Sequence, residues 1–181
     1  ALSEAVSNAG LQLGLLAGGH DANPTLHKKQ FSDAIERAIS LKPLYINCHS
    51  GKDYFSFDDN AEMLAMTIKQ SLASGVPIYH ETHRGRMLFA AHVSKGFIDR
   101  FKELKLTLDI SHWCNVHESL LGDQPINVEA ALSRTHHIHA RIGHAEGPQV
   151  NDPRAPEWKN EVKAHFDWWD KVIARKKSEG Q

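Results

Sequence analysis

The stretch Ile78-Tyr79-His80-Glu81-Thr82-His83-Arg84-Gly85 decides how the chain is read: a short apolar lead-in empties into four ionisable residues within five positions, then a glycine. With Ile78 to His80 as a buried strand, side-chain alternation puts Glu81 at its C-terminal end and His83 on the same face. Two later stretches repeat the design. Leu106-Thr107-Leu108-Asp109-Ile110-Ser111-His112-Trp113 ends in Asp109 and His112, and His137-Ile138-His139-Ala140-Arg141-Ile142-Gly143 ends in His139 and Arg141. Two carboxylates and an imidazole, each at a strand end, are oxygen and nitrogen donors that a divalent cation takes.

Outward from these stretches, apolar runs at Leu11 to Ala17 and Leu44 to Asn47 add two more strands. The second runs into the polar loop Cys48-His49-Ser50-Gly51. Between them, Pro24 and Thr25 open a helix with Phe31, Ala34, Ile35, Ala38 and Leu41 on one face, and Pro43 closes it. Asp58-Asp59-Asn60 supplies N-cap chemistry for a helix with Ala61, Leu64, Ala65, Ile68 and Leu72 inward and Gly75 at its end. Helical segments lie between Met87 and Glu103, broken near Gly96, and again from Ile126 to Arg134. The fifth strand is His136 to Arg141. Gly143 to Pro156 reads as a long loop, and Glu157 to about Lys177 as a helix with Trp158, Val162, His165, Phe166, Trp169, Val172 and Ile173 on one face.

The strand ends, at about Ala17, Asn47, Glu81, Asp109 and His139, stand 30, 34, 28 and 30 residues apart. That is the βαβ repeat of a parallel sheet covered by helices. An open doubly wound sheet and part of an eight-stranded (β/α) barrel both satisfy it. Polar residues follow four strands in succession, which a closed ring would converge on one axis, so the barrel is favoured. The chain opens in a helix at Leu2 to Ala9 and ends on one with only five strands between, so residues 1–181 are expected to form one incomplete barrel.

Bulk composition agrees with a single globular domain: 181 residues, 41% hydrophobic, 24% charged and a formal net charge of -1. Such a balance offers no basic footprint for nucleic acid. No apolar run reaches the roughly 20 residues of a membrane span. Two cysteines, Cys48 and Cys114, make no disulfide framework and fit a reducing, cytoplasmic setting. Thirteen histidines against three tyrosines is an unusual balance, and seven of the thirteen, His49, His80, His83, His112, His137, His139 and His144, fall at or just past strand ends.

Glu81, Asp109-x-x-His112 and His139-x-Arg141, at successive strand ends, resemble the xylose-isomerase-like barrels: sugar isomerases, ketose 3-epimerases, inositol-catabolism enzymes and, more remotely, apurinic endonucleases. The resemblance runs from Leu11 to the final helix. It implies a metal held by Glu81, Asp109 and His139 plus a glutamate from the eighth strand, which has no match in this sequence; the first strands are also expected to be missing. Manganese is the first choice of cation, and the same donors accommodate magnesium, cobalt or zinc. The implied activity is isomerisation or epimerisation of a sugar or sugar phosphate by proton transfer through a metal-stabilised enediolate, with Glu81 as ligand and base. His112 and Arg141 would contact substrate oxygens, with His49 and His83 as further pocket residues and Trp113 as an apolar wall against the sugar. His137 is expected to be a hydrogen-bonded core histidine, and Arg84 and Arg86 solvated or phosphate-facing.

Two other readings compete. An apurinic-endonuclease-like zinc phosphodiester hydrolase would gather His49, His112 and His144 around several zinc ions, and a non-catalytic barrel would bind a carbohydrate or a partner without chemistry. Exposed barrel edges would favour pairing with a second copy.

Overall fold

The computed structural model describes residues 2–180. Helix α1 (Leu2–Asn8) precedes strand β1 (Gly14–Gly18), and α2 (Pro24–Ser40) leads to β2 (Tyr45–His49). Next come α3 (Phe57–Ser74), β3 (Ile78–Glu81), α4 (Ala91–Arg100) and β4 (Leu106–Leu108). Two short helices, α5 (Ser111–Val116) and α6 (Pro125–Arg134), lead to β5 (Thr135–Ile138), and a 3-10 turn at Pro156–Trp158 opens α7 (Lys159–Ser178). All strand pairings are parallel, and the spatial order β1-β2-β3-β4-β5 is the sequence order. An open doubly wound sheet reverses its order at a switch point; this one never does. The sheet is therefore wound in one direction, as an arc of a barrel.

Local chemistry sets the helix ends. Asn23 caps α2, its side chain accepting from the N–H groups of Thr25 and Leu26, with Pro24 in the first turn where its missing N–H costs nothing. Ser56 caps α3, one turn earlier than the acidic run suggests, and Gly75 ends it at φ 73°, a left-handed conformation that favours glycine. Helix α4 passes through Gly96 unbroken, correcting the expected break. The glycine is there for space: a Cβ would sit 3.3 Å from the Phe57 ring.

One face of the sheet meets the helices. Ile46, Cys48, Ile78, Leu106 and Leu108 are buried there in one cluster with Phe31, Ile35, Met63, Leu64, Phe97 and Leu132. Removing this apolar surface from water is the main stabilising term, at roughly 25 cal/mol per Å². His80 points the same way, fully buried between Ser50 Oγ (2.7 Å from Nδ1) and Thr67 Oγ1 (3.1 Å from Nε2). Burial pushes its pKa down to about 3, so it is a neutral core group. Alternation sends Tyr45, Asn47, His49, Tyr79 and Glu81 to the opposite, inner face. Of the apolar side chains expected to face inward, Ala65, Leu72, Phe166 and Ile173 are exposed. No helix among the described residues is long and apolar enough to cross a membrane.

Candidate metal centre

Two ladder hydrogen bonds beyond the formal strands, and one from a backbone N–H to a side-chain hydroxyl, place the polar residues. The Thr82 N–H donates to Thr107 O at 3.1 Å, and the His139 N–H to Leu108 O at 3.0 Å. The Asp109 N–H donates to the hydroxyl of the buried Thr82 at 2.8 Å. Glu81, Asp109 and His139 thereby sit side by side at the ends of β3, β4 and β5. One ligand atom from each lies within 4.8 Å of the others.

The Glu81 carboxylate is 4% exposed. Its Oε2 accepts from Asn47 Nδ2 at 2.6 Å and stands 3.1 Å from His49 Nε2, while Oε1 stands 3.4 Å from His139 Nδ1. Burial alone would raise its pKa, but the contacts with His139, His49 and Asn47 together outweigh it and hold the carboxyl well below the usual range. Glu81 is therefore ionised at neutral pH. Its contact in turn raises the pKa of His139 against the effect of burial.

Asp109 is equally buried and differently held. Ser111 Oγ donates to its Oδ1, and Arg141 Nη2 donates to Oδ2 at 2.7 Å. Burial pushes its pKa up, and the nearby Glu81 charge adds to that, against Ser111 and Arg141. Arg141 also donates from Nε to Ser111 Oγ at 3.0 Å and from Nη2 to His112 Nε2.

These residues fit a divalent cation. Ligand atoms at about 2.1 Å from one ion stand on the order of 3–4 Å apart, a small adjustment from the spacing seen. Two buried carboxylates side by side also repel each other, which a bound cation offsets. The donors open onto a cleft of about 410 Å³ lined in part by Gly14, Leu16, Tyr45, Asn47 and His83.

The other expected site residues divide. His49, His83 and Arg141 line the cleft with Glu81, Asp109 and His139. His112 does not: it is 2% exposed, beneath Arg141, and its pKa is pushed down to about 3, by burial first and then by His83 and Arg141. Trp113 is not a cleft wall. It is fully buried in the main core, and its Nε1 donates to Leu88 O at 2.9 Å. The cause is α5: a helix starting at Ser111 turns about 100° per residue and carries Trp113 away from the cleft.

His137 is half-buried rather than core, its ring centroid 4.9 Å from that of Tyr45. His144 lies in the long loop beside Trp158, outside the donor cluster. Both cysteines are buried free thiols with pKa values raised by burial, which leaves no reactive thiolate. Asn47, Thr82 and Ser111 were not anticipated. Asn47 was discoverable, since it shares a strand face with His49; nothing local in the sequence marks the other two.

No protein-family model and no curated protein matches the chain. Solved structures do. One is a D-tagatose 3-epimerase-like protein, with a TM-score of 0.66 and 19% identity over 92% of this chain and 70% of that one. Another is the probable 3-DHS dehydratase AsbF of Bacillus anthracis, involved in petrobactin synthesis (0.59, 14%, 86% and 59%). A third is 3-keto-D-glucoside 4-epimerase, YcjR, from E. coli (0.53, 14%, 91% and 72%). At these identities the likeness establishes the fold, an incomplete barrel spanning between 59% and 72% of those chains.

Proposed function

We propose that this chain, an arc of a xylose-isomerase-like barrel, carries the proton-transfer centre of a divalent-metal-dependent sugar isomerase or epimerase. The observation that carries the reading is the convergence of Glu81, Asp109 and His139 from three successive strand ends onto one cleft. Solved structures of this fold, an epimerase-like protein and two epimerases, support it, one of them a D-allulose 3-epimerase in complex with D-allulose.

Glu81, Asp109 and His139 would hold the cation, with manganese the first choice. When bound, the cation supplies Lewis-acid polarisation of the sugar's carbonyl oxygen. The remaining steps belong to the chain's own side chains. Glu81, ionised, takes the proton from the carbon next to the carbonyl, and the C–H electron pair moves toward the carbonyl oxygen. Return of that proton by Glu81 to the neighbouring carbon isomerises the sugar; epimerisation requires a second acid on the opposite face to supply a proton there while Glu81 keeps its own, the place of the eighth-strand glutamate that the resemblance implies. Asn47 and His49 fix the Glu81 carboxylate, and Arg141 fixes Asp109 while presenting its guanidinium to the cleft. The several-zinc hydrolase is the weaker reading, because His112 and His144 stand outside the donor cluster.

The test is solvent exchange at the carbon next to the carbonyl of a ketohexose, followed by NMR in deuterated water with added manganese. Wild-type chain should exchange, and Glu81→Gln should bind sugar without exchanging. Equal exchange by both proteins would remove Glu81 as the base; sugar binding with exchange by neither would favour a binding domain.

A further inference from the structure

Trp113 leaves the cleft without the aromatic wall expected of it, and Tyr45 supplies one. Tyr45 opens β2 on the inner face, half-buried, and lines the cleft with Asn47, Glu81 and His139. Its partner across the ladder in β1 is Gly14. A Cβ there would stand 2.9 Å from Tyr45 Cζ and 3.0 Å from Oη, so the ring lies across the space that the glycine leaves. Tyr79 stacks beside it, ring centroids 5.6 Å apart at 23°, and Tyr45 Oη stands 3.4 Å from His137 Nε2. Strand β5 carries an extra residue against β4 at this level, a bulge that stacks both His136 and His137 on Tyr79. The Tyr45 ring is thus fixed from three sides.

Polar atoms beside the ring are left over. Asn47 gives Nδ2 to Glu81 Oε2 at 2.6 Å, and its Oδ1, on a residue only 7% exposed, has no partner among the described residues. His137 Nδ1 is buried and equally without one. Buried polar atoms are as a rule paired, so these mark a place where a ligand completes the bonding. Phenol, amide and imidazole together offer donors and acceptors in the mixture that a hydroxyl group, itself both, satisfies. We infer that Tyr45, Asn47 and His137 form a subsite for the uncharged hydroxyl chain of the substrate, and that the substrate is an unphosphorylated ketohexose. The apolar body of the tyrosine takes the C–H side of that chain, and its hydroxyl tip the oxygens.

A phosphate fits this wall poorly. Asn47 is bonded to the Glu81 carboxylate, which repels a second anion. The cations that could hold one are engaged or stand elsewhere. Arg141 is bonded to Asp109 and Ser111, and Lys176 lies between His136 Nδ1 at 2.9 Å and Glu179 at 3.5 Å. Arg84 donates to Asn115 and Arg86 to Gly19 O, and neither lines the cleft. This inference rests on the preceding reading in placing the reacting carbons at the metal centre, with the rest of the sugar along β2.

The experiment is calorimetric titration of the full chain, with manganese present, by D-fructose, D-fructose 6-phosphate and dihydroxyacetone. The last keeps the carbonyl and its neighbouring hydroxyl but has no further chain. Wild type should bind fructose at least tenfold more tightly than either of the others, as a site built to hydrogen-bond hydroxyls rejects a ligand that lacks them. Tyr45→Ala should bring fructose down to the level of dihydroxyacetone, and Gly14→Ala, which pushes the ring aside without altering it, should do the same. Tyr45→Phe keeps the ring and its packing and reads the hydroxyl alone, with a loss of about fivefold for one neutral hydrogen bond. Urea midpoints show which variants are folded. Fructose that does not bind wild type, that binds folded Tyr45→Ala or Gly14→Ala as tightly as wild type, or that is matched by its 6-phosphate, overturns the subsite. Fructose binding that depends on Tyr45 but is the same without manganese supports the subsite and counts against the metal centre, so the two failures are distinct.

Discussion

Thr82 Oγ1 accepts the backbone N–H of Asp109 at 2.8 Å, tying the end of β3 to the residue that follows β4. Both groups are buried, so this one hydroxyl sets where the Asp109 carboxylate stands relative to Glu81. Thr82→Val keeps the shape and removes the acceptor, leaving a buried N–H unpaired at a cost of about 1–3 kcal/mol. Urea denaturation should show that loss with an unchanged m-value, and Thr82→Ser should recover most of it. Cation affinity should fall in the valine variant alone. A valine variant as stable as wild type would show that Asp109 is positioned by something else.

Arg141 does for the Asp109 side chain what Thr82 does for its backbone. Without the guanidinium, a carboxylate that is 3% exposed keeps Ser111 but loses its charged partner. Arg141→Ala should therefore cost about 1–3 kcal/mol in metal-free buffer. A cation bound by Asp109 replaces that partner, so the gap to wild type should narrow as divalent metal is added. Ligand linkage supplies about 2.7 kcal/mol at a hundredfold excess over the dissociation constant, ample for the comparison. A gap unchanged by metal would argue that Asp109 is not a ligand.

How far the sequence reached depends on whether the relevant physics is local. Strand alternation is local, and it set Glu81 and His83 on one face, which lines the cleft, whereas His49, read as part of a polar loop, is the last residue of β2; the 30-residue spacing matches the parallel arc. Trp113 was misplaced because no signal short of the fold says that the chain turns helical at Ser111, two residues after Asp109. Thr82 and Ser111 escaped for a different reason. Thr82 reaches the neighbouring strand end, Ser111 links the Asp109 of its own segment to Arg141 from the next, and a hydroxyl carries no pattern that announces its partner. His80 and Glu81, adjacent in sequence, show how sharply faces divide: one is a neutral core group and the other an ionised carboxylate on the cleft.

Acid should destabilise the chain, and His165 isolates one part of the effect. It is fully buried in α7, with Nδ1 donating to Glu161 O at 2.8 Å and Nε2 accepting the Gly143 N–H at 3.1 Å. Both ring nitrogens are used by the neutral form, and protonation would break the Gly143 bond. Burial lowers its folded-state pKa, against the raising effect of the Glu161 carbonyl. The unfolded chain, with a histidine pKa near ~6.5, therefore takes up the proton first. Stability is fully present above about pH 6.5 and is lost as pH falls toward the folded pKa, by up to about 1.4 kcal/mol per pH unit for each such group. His27 and His117, also depressed by burial, add slope of the same sign, whereas His139, with a raised pKa, opposes it. Urea midpoints between pH 7.5 and about 5 should fall for wild type and fall less steeply for His165→Gln, by about one proton's worth. Parallel pH curves for the two proteins would mean that His165 is protonated in the folded chain and that its bond to Gly143 is not what holds the long loop against α7.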